Sequence, residues 1–228
     1  MLVVLALSLL ASAVFAIIDL LSAPLKGVTV VSVDQNTELA KQIAGIAFGL
    51  APVWLVVHLV RRSGESVAGI GLAGDDPRLN VGRGAVLFAI VGICGLGLYL
   101  GAVALGVNRF VVPVPPLHHW WTVPILLFDA VAAALLEEVI VLGYLITRLR
   151  QLTLTPVAAI AVSAVLRGAY HLYQGWGAFA GNLAMGALFG VFFVRWRRTW
   201  PFVIAHFLLD AAAGIGYILF RQHLPGSS

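Results

Sequence analysis

Glu137 and Glu138 are adjacent carboxylates inside a long apolar run, Val123 to Ile146, which also holds Asp129. A carboxylate at mid-bilayer costs about 2.5–3.5 kcal/mol on insertion scales, so residues of this kind face a polar space and carry a task. Later apolar runs supply partners. Arg167 and His171 stand four apart, on one helix face with Ser163, and His206 and Asp210 stand four apart on the last run. Asp129, Ala133 and Glu137 repeat at the same interval, which puts Asp129 roughly on Glu137's side. Three helices thus present one polar stripe each, and the simplest arrangement brings the stripes together in a shared cavity. Two chemistries suit this set. A Glu takes a proton from water while an imidazole stabilises the oxyanion, or carboxylates and imidazoles bind a divalent metal such as zinc. The HExxH spacing that would make the metal specific is absent. Ser163 as a nucleophile lacks a supporting signature.

These stripes need helices that cross a membrane. Of 228 residues, 61% are hydrophobic and 11% charged, with mean hydropathy +1.01. That is the composition of a polytopic membrane protein rather than a soluble domain. About seven spans are expected, within a range of six to eight: Leu2–Leu21, Leu39–Val60, Ala85–Val107, Val123–Ile146, Thr155–Leu172, Trp176–Val194 and Trp200–Phe220. The charge-free start, Met1 to Ile18, is expected to be a retained helix rather than a signal peptide. Trp120 and Trp121 fit an interfacial belt.

With the N-terminus inside, Arg61, Arg62, Arg78, Arg83, Arg148, Arg150, Arg195, Arg197 and Arg198 fall on the cytoplasmic side. Lys26, Lys41, Arg109 and Arg221 fall outside, a bias that predicts an N-in topology. The net charge of +4 is therefore explained by topology, and no nucleic-acid partner is expected. Cys94 is the only cysteine, which excludes an internal disulfide and a multi-cysteine metal site. Gly97 with Gly101, and Gly186 with Gly190, are small-xxx-small pairs suited to close helix packing. The expected architecture is one all-α integral membrane domain, residues 1–228, whose core helices span 123–220.

The motifs in that core resemble those of the CAAX prenyl protease and bacteriocin-processing family, the Abi or type II CAAX intramembrane endopeptidases. The first motif of that family, a Glu-Glu pair followed after three residues by Arg, aligns with Glu137-Glu138 and reaches Leu142. The second, Phe-x-x-x-His, aligns with Arg167 to His171; the third, His-x-x-x-Asn or Asp, aligns with His206 to Asp210. Leu142 and Arg167 depart from the pattern, and the cation is expected to have moved helices, with Arg167 pairing Glu138.

The resemblance implies a glutamate-dependent peptidase of a multi-pass cell-membrane protein, without a cofactor or a metal. It implies that Glu137 activates water, that His171 helps position it and that His206 joins His171 in this or lines the oxyanion site. Asp210 then orients His206, because a carboxylate cannot itself donate to an oxyanion. Glu138 and Arg167 support. The implied partner is a membrane-associated peptide or protein, of a prenylated or leader type, within the lipid bilayer. Competing functions are a proton-coupled transporter or channel and an inactive scaffold or immunity protein; a metalloprotease is the competing mechanism.

Spacing also raises an obstacle. Counted from the cytoplasmic helix ends at ~1.5 Å per residue, His206 lies ~9–12 Å deep and His171 ~24 Å deep. Straight parallel helices would keep the two rings apart. Asn182 is expected to bond between helices, and Tyr170, Tyr173, Gln174 and Trp176, clustered beside His171, to form an interfacial belt or to contact substrate.

Overall fold

The computed structural model describes residues 13, 35–74, 76–107 and 119–220. Among these residues every regular element is helical. The chain runs α1 (Gln35–Gly49), α2 (Ala51–Arg62), a 3₁₀ turn (Val67–Ile70), α3 (Pro77–Ala104) and α4 (Thr122–Glu137). A π-helical segment (Glu138–Ile146), α5 (Thr147–Gln151), α6 (Pro156–Tyr170), a second 3₁₀ turn (Leu172–Gln174), α7 (Trp176–Trp196) and α8 (Trp200–Phe220) follow. Gly45–Arg62, α3, α7 and α8 are long and apolar enough to cross a membrane, and α6 is a shorter apolar helix. Ile93 and Leu100 on the outer side of α3 are exposed, as a lipid-facing surface requires. The molecule is an all-α, multi-pass membrane protein.

Helix ends follow local chemistry. The expected second span is interrupted at Leu50, between α1 and α2. Pro52, in the first turn of α2, accounts for the break, since proline lacks an N–H and crowds the carbonyl four residues back. α3 starts at Pro77 rather than Ala85 because Asp76 caps it, accepting from the Leu79 N–H, and Pro77 suits the first helical position. α6 starts behind Thr155, whose hydroxyl accepts from the Ala158 N–H. The last span has the expected bounds. Apart from Ala13, the expected first span lies outside the described residues, as do the charges Lys26, Arg109 and Arg221. Trp120 is exposed, whereas Trp121 is buried against the fold, so only one of the pair can serve as a belt residue.

Packing brings the later helices together. α6 runs along α7, and α8 packs on both α3 and α4. A Cβ on Gly186 would come within 3.0 Å of the Ala164 backbone, and one on Gly190 within 2.8 Å of Ile160. This pair therefore sets the α6–α7 approach. Gly97 and Gly101 meet nothing within 4 Å among the described residues, so the other small-xxx-small pair does not close a contact there. Asn182 donates to the Ala178 carbonyl on its own helix at 3.0 Å, not across helices as expected.

All nine residues of the π segment are buried. At Gly143 a Cβ would stand 2.7 Å from the Ile70 carbonyl, so the segment presses directly on the turn after α2. Thr199 completes the tie: its hydroxyl donates to the Ile70 carbonyl at 2.7 Å and its N–H to the Gly71 carbonyl at 2.8 Å. This knot fixes the start of α8 against the π segment. His206 lies about two turns further along α8.

Candidate active site

Glu137 closes α4 and Glu138 opens the π segment, so the carboxylate pair sits on the junction of two helical geometries. Such π insertions recur at functional sites because they re-aim side chains within a continuous helix. Glu138 is fully buried and Arg167 is 1% exposed. Arg167 Nη2 donates to Glu138 Oε1 and, at 3.0 Å, to Glu137 Oε2. The Tyr170 hydroxyl donates to the same Glu137 oxygen at 2.6 Å. From α8, His206 Nδ1 lies 2.8 Å from Glu138 Oε1, and its Nε2 lies 3.3 Å from Asp210 Oδ2.

His206 is thus held between two carboxylates. A proton on each ring nitrogen lets it donate in both directions. Its Nδ1 also lies 3.2 Å from Arg167 Nη2. With both groups acting as donors, that contact reflects two donors sharing one Glu138 oxygen. Glu137 is arranged differently. Two donors fix its Oε2, while no described residue bonds its Oε1, and the side chain keeps 13% exposure. The fixed oxygen orients the carboxylate; the other has no bonding partner among the described residues.

The structure brings Glu137, Glu138, Arg167, His206 and Asp210 into one network. His171 stands at its edge, just after the end of α6. Its Nδ1 lies 3.1 Å from the Arg167 carbonyl, a contact in which the ring N–H donates. Its ring packs at 4.7 Å from Tyr170. It is close enough to Glu137 and His206 to interact with both electrostatically. The depth obstacle is met by side-chain reach. Arg167 is four residues nearer the start of α6 than His171, hence ~6 Å less deep, and its long side chain spans the remainder. The stripes meet with this guanidinium between them rather than across an open cavity.

Other candidates resolve individually. Asp129 is exposed and lies outside the ion-pair network. Ser163 is buried and donates to the Val141 carbonyl of the π segment at 2.9 Å, which gives it a structural task. Leu142, where the motif has Arg, is buried among Leu87, Phe189 and Phe202. An apolar residue fills the missing cation's place and Arg167 supplies the charge from the neighbouring helix. Tyr170, assigned from sequence to a belt or to substrate contact, is 5% exposed and bonded to Glu137, which rules out the belt. Its position three residues after Arg167, on the same helical face, was the available signal.

Ligand atoms of Glu137, Glu138 and His206 all lie within 4.8 Å of one another, a set that suits a divalent cation by type. Arg167 Nη2 stands within hydrogen-bonding reach of all three. A metal ion there would have to displace a buried guanidinium from two carboxylates.

Residues 119–212 match the family described as type II CAAX prenyl endopeptidase, Rce1-like. The matched stretch contains the whole network. Comparison with curated proteins and with solved structures finds no match.

Proposed function

On the match of residues 119–212 to the Rce1-like type II CAAX prenyl endopeptidase family, we propose that this chain is an intramembrane endopeptidase in which Glu137 activates the attacking water. The substrate is a membrane-associated peptide of the prenylated or leader type, cut in the cell membrane. The observation that carries this reading is the asymmetry of Glu137: one oxygen is pinned by Tyr170 and Arg167, and the other is unused on a partly exposed side chain.

The roles follow from the donors. His171 gives its Nδ1–H to the Arg167 carbonyl, so its Nε2 is an acceptor in the neutral ring. A water donating to Glu137 Oε1 and His171 Nε2 keeps a lone pair for the scissile carbonyl. Glu137 takes one proton as the C–O bond forms, and the tetrahedral oxyanion needs a donor. The His206 Nε2–H suits that task, because its present acceptor Asp210 is 3.3 Å away and 42% exposed. Collapse breaks the C–N bond as Glu137 returns its proton to the leaving amine. Arg167 meanwhile neutralises Glu138, whose buried charge would otherwise be unpaired.

Two buried polar atoms in this network, Glu138 Oε2 and Arg167 Nε, have no hydrogen-bond partner among the described residues. A purely structural clamp would be expected to satisfy both. Expression of Glu137→Gln and wild type in the native membrane, followed by comparison of accumulated peptides, tests the proposal. Accumulation of a discrete set of membrane-associated peptides with the folded variant is expected. Identical peptide content with a folded variant overturns it.

A further inference from the structure

A second polar site lies away from the carboxylate network, at the arginine-rich ends of α5 and α7. A cavity of about 440 Å³ there is lined by Glu65, Thr147, Arg150, Gln151, Val194 and Arg197, among others. Its charges do not balance internally. Glu65 is already taken: Arg148 donates to it at 2.6 Å, and Gln151 Nε2 donates at 3.3 Å. Arg150 donates to the Leu154 carbonyl at 2.8 Å. Arg197 donates to the Gly69 carbonyl at 3.4 Å and lies over the Phe193 ring. Neither guanidinium pairs with a carboxylate among the described residues. Arg197 also holds a left-handed backbone, φ 53, unusual for a residue with a side chain. Thr147 adds an independent sign: its hydroxyl is buried without a hydrogen-bond partner in the wall of this cavity.

We propose that this cavity binds the phosphate of an anionic lipid headgroup, with Arg150 and Arg197 as guanidinium partners and Thr147 as a hydroxyl donor. Two planar forks and a hydroxyl suit a phosphate, which accepts several charge-assisted hydrogen bonds. The volume falls in the range of small-molecule sites. The cavity lies where apolar helices give way to Arg148, Arg150, Arg195, Arg197 and Arg198. That is the membrane boundary the arginine bias assigns to the cytoplasm, the leaflet richest in anionic lipid. Free phosphate offers the same chemistry, so the source is for the test to separate. The site joins the turn after α2, the residue following the π segment and the end of α7, so its occupation braces the elements that position Glu138 and His206. The proposal does not depend on the peptidase reading.

The test is thermal unfolding of the full chain in nanodiscs, followed by tryptophan fluorescence. Phosphatidylcholine alone is compared with phosphatidylcholine containing phosphatidylglycerol, and inorganic phosphate is titrated into the neutral discs. Anionic lipid is expected to raise the wild-type midpoint by about 5 °C. Arg150→Gln with Arg197→Gln should remove that rise, while the control Arg61→Gln, outside the cavity, keeps it. Equal response in wild type and the double variant, or no response in wild type, overturns the proposal. Protection by inorganic phosphate in neutral discs, lost in the double variant and without any further gain from phosphatidylglycerol, overturns the lipid as source. Should the double variant fail to fold in neutral discs, Val194→Trp fills the cavity and leaves both arginines. Loss of the lipid response there supports the site, and an undiminished response contradicts it.

Discussion

Two arginine–carboxylate networks stand among the described residues, and they differ in what surrounds them. Glu138 and Arg167 meet in the interior, 0% and 1% exposed. Glu65 and Arg148 meet at the membrane boundary at 2.6 Å, 35% and 16% exposed. The chemistry is the same; solvent is the variable. At the boundary, water screens each charge and forming the pair gains about 0–1 kcal/mol. In the interior neither ion can be left alone, so the pair is indispensable even where its net stabilisation is small. The buried network also has neighbours the other lacks, a second carboxylate and an imidazole, and its tyrosine bonds a carboxylate, whereas Tyr144 lies under the Arg148 guanidinium. Arginine in the interior therefore does more than stabilise. Its Nη2 reaches both adjacent glutamates at once, bonding one oxygen of each.

The sharpest way to break this contrast is Arg167→Met. It leaves Glu138 buried without its cation, and a loss of about 3–5 kcal/mol is expected in a reversible denaturation titration in detergent. Charge reversal, Arg167→Glu with Glu138→Arg, should recover part of that loss; a double variant no better folded than either single variant removes support for direct pairing. Tyr170→Phe comes next. Deleting a donor to an ionised carboxylate costs about 1.5–3 kcal/mol. As Tyr170 acts by orienting Glu137, the loss should appear in kcat, about 10- to 100-fold, with KM little changed. The same loss confined to KM would make it a substrate contact.

The boundary network should respond least. A double-mutant cycle of Glu65→Gln and Arg148→Gln is expected to give a coupling of about 0–1 kcal/mol. Its pH dependence has a defined sign. The hydrogen bond from Arg148 holds the Glu65 carboxyl below its ordinary value of 4.5. A carboxyl lowered on folding stabilises above its unfolded value, and the contribution fades as pH falls through the folded one. Wild type and Glu65→Gln should therefore differ most near neutrality and converge in acid. A difference that grows in acid would contradict the assignment.

The interior network was legible because ionisable residues are conspicuous in apolar sequence. Glu137, Glu138, Arg167, His206 and Asp210 stand out individually, and spacing by four placed them on helix faces. The motif departure at Leu142 even pointed to Arg167 as the replacement cation. The π segment was not legible. Its nine residues, Glu138–Ile146, form an ordinary apolar helical sequence, and the wider turn is stabilised by what presses on it, the Ile70 carbonyl against Gly143 and the Ser163 hydroxyl on the Val141 carbonyl. Tyr170 stayed ambiguous because a tyrosine near a helix end fits an interfacial belt as well as a substrate contact; only packing shows its hydroxyl turned toward Glu137. The boundary cavity is assembled from residues near positions 65, 147 and 197, too distant in sequence for any local pattern to connect them.

The central claim is a division of labour between neighbours: Glu137 does chemistry and Glu138 anchors Arg167 and His206. Turnover and unfolding measured side by side for Glu137→Gln and Glu138→Gln test it most directly. Glu137→Gln should unfold close to wild type and lose turnover by about 10²–10⁴-fold. Glu138→Gln should lose stability first. A folded Glu137→Gln that still cleaves peptide within a few-fold of wild type would contradict the account.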